Sequence, residues 1–132
     1  MSKTSRKDKI RAIQDIKSEL VPIPEWDETL EVRSLSVITR NKLYGTLKIG
    51  DKATAEDTTQ FEASLVILGT FDPDTGERLF DDTDRDWLVE KNSAPMLRLA
   101  AAIRRLSGLT TQAEDDALKN LKKTHTSATN TN

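Results

Sequence analysis

Val21-Pro22-Ile23-Pro24-Glu25-Trp26-Asp27-Glu28-Thr29-Leu30-Glu31-Val32-Arg33 is the stretch on which the fold turns. Val21 and Ile23 alternate with Pro22 and Pro24, and Leu30 and Val32 alternate with Glu31 and Arg33, with an acidic turn between the two runs. Period-two alternation on both sides of a short polar turn predicts a β-hairpin with one apolar face. Prolines two residues apart remove N–H groups from one side of a strand only, so the first strand is expected at a sheet edge, its proline side facing away from its partner. Trp26 is placed to fold back across the turn onto the face made by Val21, Ile23, Leu30 and Val32, its indole N–H then needing an acceptor.

Outward from the hairpin, the chain punctuates itself clearly. Ser36 is positioned to cap a helix carrying Arg40, Leu43, Tyr44 and Leu47 that stops before Gly50, with residues 50–58 expected as a loop. Phe61 to Phe71 reads two ways: Phe61, Leu65 and Leu68 have helical spacing, whereas Leu65-Val66-Ile67-Leu68 also suits a buried strand. Gly69 and the Asp72-Pro73-Asp74-Thr75-Gly76 cluster end that element. Thr83 and Asp86 match a capping box for a short helix through Trp87 and Leu88 that stops near Asn92. Ser93 and Pro95 open the next helix, with Met96, Leu99, Ile103 and Leu106 as its stripe and Gly108 after its end. Thr111 and Glu114 are expected to start a last helix with a thin apolar face of Ala117, Leu118 and Leu121. The fold class is therefore α+β: an N-terminal β-hairpin followed by a small, mostly helical domain of four to five helices.

With 132 residues, 36% hydrophobic and 32% charged, the chain supports one domain with a modest core. Residues 1–9 are expected as a flexible basic N-terminus, residues 10–123 as the single domain, and residues 124–132 as a disordered polar tail. Ile10, Ile13 and Ile16 suggest a brief helical turn at the domain's start. The absence of a roughly 20-residue apolar run argues against a membrane role, and the sequence is expected to stay in the cytoplasm. Net charge is −2, yet the signs segregate: residues 1–17 hold six Lys or Arg against two acids, and residues 72–90 hold eight acids against Arg78 and Arg85.

Chemistry finds few candidates. There is no cysteine, and the single histidine, His125, lies in the polar tail, so nucleophile-and-base arrangements built on either are absent. The Asp81, Asp82, Asp84 and Asp86 cluster reads more simply as a helix N-terminus than as a catalytic pair. Asp72-Pro73-Asp74-Thr75-Gly76-Glu77 begins like a calcium loop, but its glycine comes one residue early and no glutamate closes it, so a β-turn with Gly76 at positive φ is expected instead. No enzyme activity, cofactor or metal is expected. A small nucleic-acid-binding regulator using the basic N-terminus and Arg104 and Arg105 is the alternative reading. A recognition helix opening on Glu114, Asp115 and Asp116 opposes it, so nucleic acid is not the expected partner.

In order and spacing, Asp15-Ile16-Lys17, Val21 through Trp26, Val32-Arg33-Ser34-Leu35-Ser36, Gly76-Glu77-Arg78-Leu79-Phe80, Glu90-Lys91-Asn92 and Leu106-Ser107-Gly108-Leu109-Thr110 resemble the tail assembly chaperones of long-tailed, siphophage-type bacteriophages. Asp27-Glu28 stands where many relatives carry glycine, and Phe61 to Phe71 is more β-branched than the family's helix. The resemblance implies a non-enzymatic factor that binds the tape measure protein, keeps it soluble and helps recruit tail tube subunits, with the major tail tube protein as a second partner. It also implies a host bacterial cytoplasmic protein, absent from the mature virion, and allows self-association into a homo-oligomer. Such work needs exposed apolar surface. Trp26 and the stripe Met96, Leu99, Ile103 and Leu106 are the candidate partner-binding residues, the stripe reading equally as ordinary core.

Overall fold

The structure is a computed structural model and describes residues 5–45 and 54–109. In chain order the elements are α1 (Arg6–Ala12), β1 (Ser18–Ile23), β2 (Glu28–Arg33), α2 (Val37–Gly45), α3 (Ala55–Gly69), β3 (Thr70–Phe71), α4 (Arg85–Leu88) and α5 (Ser93–Leu106), with 3-10 turns at Pro24–Trp26 and Asp82–Asp84. The α+β class stands, with two additions: α1 precedes the hairpin, and β3 adds a third strand. None of the described helices is long and apolar enough to cross a membrane.

β1 and β2 pair antiparallel with Val21 opposite Leu30 and Ile23 opposite Glu28, and β3 joins the far side of β2, giving the order β1-β2-β3. β1 is an edge, as its proline requires. The Ser34 amide donates to the Lys17 carbonyl at 2.8 Å, which makes that residue pair a hydrogen-bonded one. Counting along the ladder, Ser18, Leu20 and Pro22 direct their backbone groups outward, and the missing proline N–H falls on the open side. Pro24 leaves the strand and starts the 3-10 turn, where its fixed φ is an asset. The turn closes through Asp27 in the left-handed region, φ 53 and ψ 43, a conformation that aspartate tolerates better than most side chains.

Phe61 to Phe71 resolves as a helix up to Gly69. Thr54 caps α3 through a reciprocal box: its hydroxyl accepts from the Asp57 amide at 3.1 Å, and the Asp57 carboxylate accepts from the Thr54 amide at 2.9 Å. Residues 55–58, expected in a loop, are thus the helix's first turn. Ala63 through Ile67 are all buried, so the continuous apolar run reflects a helix surrounded on every side rather than a strand. Its C-terminal end lies hard against α5: a Cβ on Gly69 would sit 2.6 Å from Ile103 Cδ1.

The remaining caps lie close to their expected places. The capping box of the third-quarter helix is Asp81 with Asp84, two residues before the Thr83–Asp86 pair, and it opens the 3-10 turn that leads into α4. Asn92 rather than Ser93 caps α5, accepting from the Ala94 amide at 3.1 Å. The end of α5 is a Schellman motif: Gly108, at φ +72, donates to the Arg105 carbonyl and Leu109 to that of Arg104. α1 begins at Arg6, capped by Ser5, four residues before the turn suggested by Ile10, and includes neither Ile13 nor Ile16. The expected helix after Thr111, Leu47 and the polar tail lie outside the described residues.

α5 packs on the hairpin and on α3, and α2 and α4 flank α3. Ile23, Val32, Leu43, Leu65, Ile67, Leu88, Leu99 and Ile103 are completely enclosed between these layers. The sheet's other face carries Leu20, Thr29, Glu31, Arg33 and Phe71; there the Arg33 guanidinium lies 3.9 Å from the Phe71 ring centre and pairs with Glu31 at 2.6 Å.

Candidate functional site

The candidate residues separate on folding. Met96, Leu99 and Ile103 are buried in the main core, and Leu106 is half-buried against it. The stripe is the inward face of α5. Trp26 also packs against the core, but only partly, because the 3-10 turn holds it at the hairpin's tip. Beside it opens a cleft of about 890 Å³.

From the hairpin the cleft is lined by Leu20, Trp26 and Leu30, and from the later segment by Leu79, Phe80 and Trp87. The turn at Asp72–Asp74 positions that later segment. The Asp72 carboxylate accepts from the Asp74 amide, the Gly76 amide returns to the Asp72 carbonyl, and the Asp72 amide donates to the Glu77 carbonyl, each at 2.8 Å. Gly76 has φ +75. Gly76 takes the expected positive φ and Asp72 accepts a backbone hydrogen bond as expected, but the closing bond spans five residues, an α-turn rather than a β-turn, and it reverses the chain so that Arg78 and Leu79 return alongside β3. The Phe80 and Trp87 rings meet edge to face with centres 5.8 Å apart. Trp87 is fixed by its indole N–H, which donates to Asp84 at 3.0 Å, yet it remains 45% exposed. Leu20, on the adjoining strand, is 60% exposed.

The rim is acidic. Glu25, Glu28, Asp72 and Asp74 line it together with Lys91, the one cation among the described lining residues, whose ammonium lies 5.9 Å from the Trp87 ring centre. Glu25 is held by both arms of Arg98, at 2.8 and 2.9 Å. Hydrogen bonding from that guanidinium, aided by a backbone N–H and by its charge, lowers the Glu25 carboxyl from 4.5 to about 2. The same ion pair fastens α5 to the hairpin's tip.

The arrangement provides apolar anchoring with an electrostatic fringe, the features of a binding surface. The Asp81–Asp86 carboxylates are occupied with structure: Asp81 caps the 3-10 turn and accepts from Thr83, Asp82 pairs with Arg85 at 3.0 Å, and Asp84 returns to the Asp81 amide. Hydrogen bonds from Thr83 lower the Asp81 pKa. Among the α5 cations proposed for phosphate contact, Arg105 pairs with Glu19 at 2.6 Å, which raises the arginine's pKa and lowers the glutamate's. His125 lies outside the described residues. Sequence reasoning found Trp26 but missed Leu20, Phe80 and Trp87 as its neighbours. The available signals were the chain's two tryptophans and the acids gathered at 72–90.

No model of a known protein family matches the sequence, and no curated protein matches it either. Among solved structures, the chain is similar to the bacteriophage HK97 tail assembly chaperone, with a TM-score of 0.56 at 14% identity over 76% of this chain and 91% of that one. The likeness covers most of both chains and establishes a shared fold.

Proposed function

We propose, from that shared fold, that this chain is a non-enzymatic phage tail assembly chaperone. It binds the tape measure protein, keeps that long helical chain soluble, and helps recruit tail tube subunits around it, acting in the host cytoplasm and leaving before the virion is complete. The observation that carries the reading is the fold match over 91% of the HK97 chaperone, which agrees with the family resemblance of the sequence motifs.

The cleft supplies a physical means. A client-binding surface must expose apolar area without driving aggregation, and Leu20, Trp26 and Trp87 do so within a charged rim that keeps the surface hydrated. Trp26 is the sequence candidate best placed for contact. Met96, Leu99 and Ile103 support the reading indirectly, by holding α5 against the hairpin that presents the tryptophan.

Co-expression with a tape measure protein is the test. Recovery of a soluble complex that neither protein gives alone is the expected result. An insoluble client and no complex would sink the proposal.

A further inference from the structure

A second apolar surface lies away from the cleft, where the segment between α1 and β1 meets the start of α2 and the end of α5. Ile16, Leu35, Val37 and Leu106 line a groove of about 380 Å³ there, together with Asp15 and three serines, Ser107 among them. Val37 is 68% and Ile16 47% exposed, and Ile38, next along α2, is as exposed as Val37. Leu35 and Leu106 are half-buried against the core, so the groove is continuous with it. Large apolar side chains gathered at one place on a surface mark a contact.

The chain itself delivers a complement to this place. Leu109, the last of the described residues, is buried, and its amide is bonded to the Arg104 carbonyl at 2.8 Å. Ser107, two residues before it, lines the groove and accepts from the Leu35 amide at 2.8 Å. Residues 110–132 therefore leave the domain beside the groove, and Ala117, Leu118 and Leu121 follow within twelve residues of Leu109. A helix opened by the Thr111–Glu114 box and running to Lys122 is marginal in water unless it packs on something. At about 1.5 Å per residue it brings Leu121 no further than about 18 Å from Leu109. Charge agrees as well. Asp15 is the one charged residue among the described residues of the groove, and Lys122 follows Leu118 by four, which puts both on one helical face.

We propose that the groove is the seat of the chain's own Thr111–Lys122 segment. Ala117, Leu118 and Leu121 cover Ile16, Val37 and Leu106, and Lys122 turns toward Asp15. A segment joined to its site through a single connecting residue is present at an effective concentration of about millimolar or more. Three modest apolar side chains are enough to hold it under that condition, and too few to recruit a separate chain from dilute solution. The groove and the cleft around Trp26 and Trp87 share no lining residue, so the docked segment leaves the cleft open. This inference does not depend on the chaperone reading.

The chain contains no cysteine, so introduced thiols report on chosen positions alone. Maleimide labelling of Val37→Cys is compared with that of Leu97→Cys, which is 52% exposed and outside the groove. Both are measured in the full-length chain, with and without Leu118→Glu/Leu121→Glu. Labelling at Val37→Cys proceeds through the undocked fraction, so the ratio of the two rates should rise at least about fivefold when the leucines are replaced. An unchanged ratio overturns the proposal.

Disulfide trapping in a full-length chain that keeps the other groove-facing residues does not depend on that variant. Val37→Cys is combined in turn with Ala117→Cys, Leu118→Cys and Leu121→Cys and oxidised in dilute solution. A bond requires the two Cα atoms to come within about 7 Å. At least one pair is expected to close within a monomer, and to do so faster than Leu97→Cys with the same partner. Failure of all three pairs overturns the proposal. Disulfide-linked dimers in place of the intramolecular bond give the groove to a second copy and overturn it equally.

Discussion

Gly69 shows how one atom decides a packing distance. Its missing Cβ lets the end of α3 approach Ile103 more closely than any side chain permits, so Gly69→Ala should destabilise by about 1–3 kcal/mol, read as a lower midpoint in chemical denaturation. The sequence marked Gly69 as a terminator; the contact with residue 103 was invisible because nothing local encodes it. Asp27 is the converse case. Its left-handed φ of 53 makes Asp27→Gly neutral or stabilising by up to about 1 kcal/mol, and Asp27→Val destabilising by about 1–2 kcal/mol, in the same assay. Glu25 yields a pH dependence. Its carboxyl falls from 4.5 to about 2 through Arg98 and a backbone N–H, so below 4.5 the unfolded chain binds the proton more readily. Its contribution is present above pH 4.5 and is lost as pH falls toward 2. The stability gap between wild type and Arg98→Met, measured by denaturation across that range, should therefore narrow as the solution is acidified.

Elements were legible where a cap or a period marks them, and blurred where burial rather than pattern chose the conformation. The hairpin, the stop at Gly69 and the α5 stripe follow from local sequence. The Leu65–Leu68 run did not identify itself, because a helix buried all round loses the amphipathic contrast that periodicity detects; the Thr54–Asp57 box settles its start. α5 offers a direct check on which face is core. Leu99→Ala should cost about 2–5 kcal/mol, whereas Leu97→Ala, on the face that leaves Leu97 52% exposed, should stay within about 0.5 kcal/mol, both by denaturant titration. Equal losses would mean that α5 is covered on its outer side as well.

At the scale of the molecule, the candidate site is assembled from two stretches more than forty residues apart, the hairpin around Trp26 and the segment from Asp72 to Lys91. Replacing Trp26 and Trp87 together by alanine should lower the yield of soluble client complex by about tenfold or more, as expected for aromatic anchors at a protein interface. Equal recovery by co-purification would move client binding elsewhere on the fold. The sequence alone determined the class, the edge hairpin, the order of most elements and the scarcity of catalytic groups, since alternation, caps and composition act within a few residues. It also carried the family resemblance through short motifs in a fixed order. Only the tertiary structure decided that the Met96–Leu106 stripe faces inward, that Phe80 and Trp87 join Trp26 around one cleft, and that α5 is fastened to the hairpin through Glu25. Those outcomes depend on which surfaces exclude water together. Distant segments settle that only when the chain closes on itself.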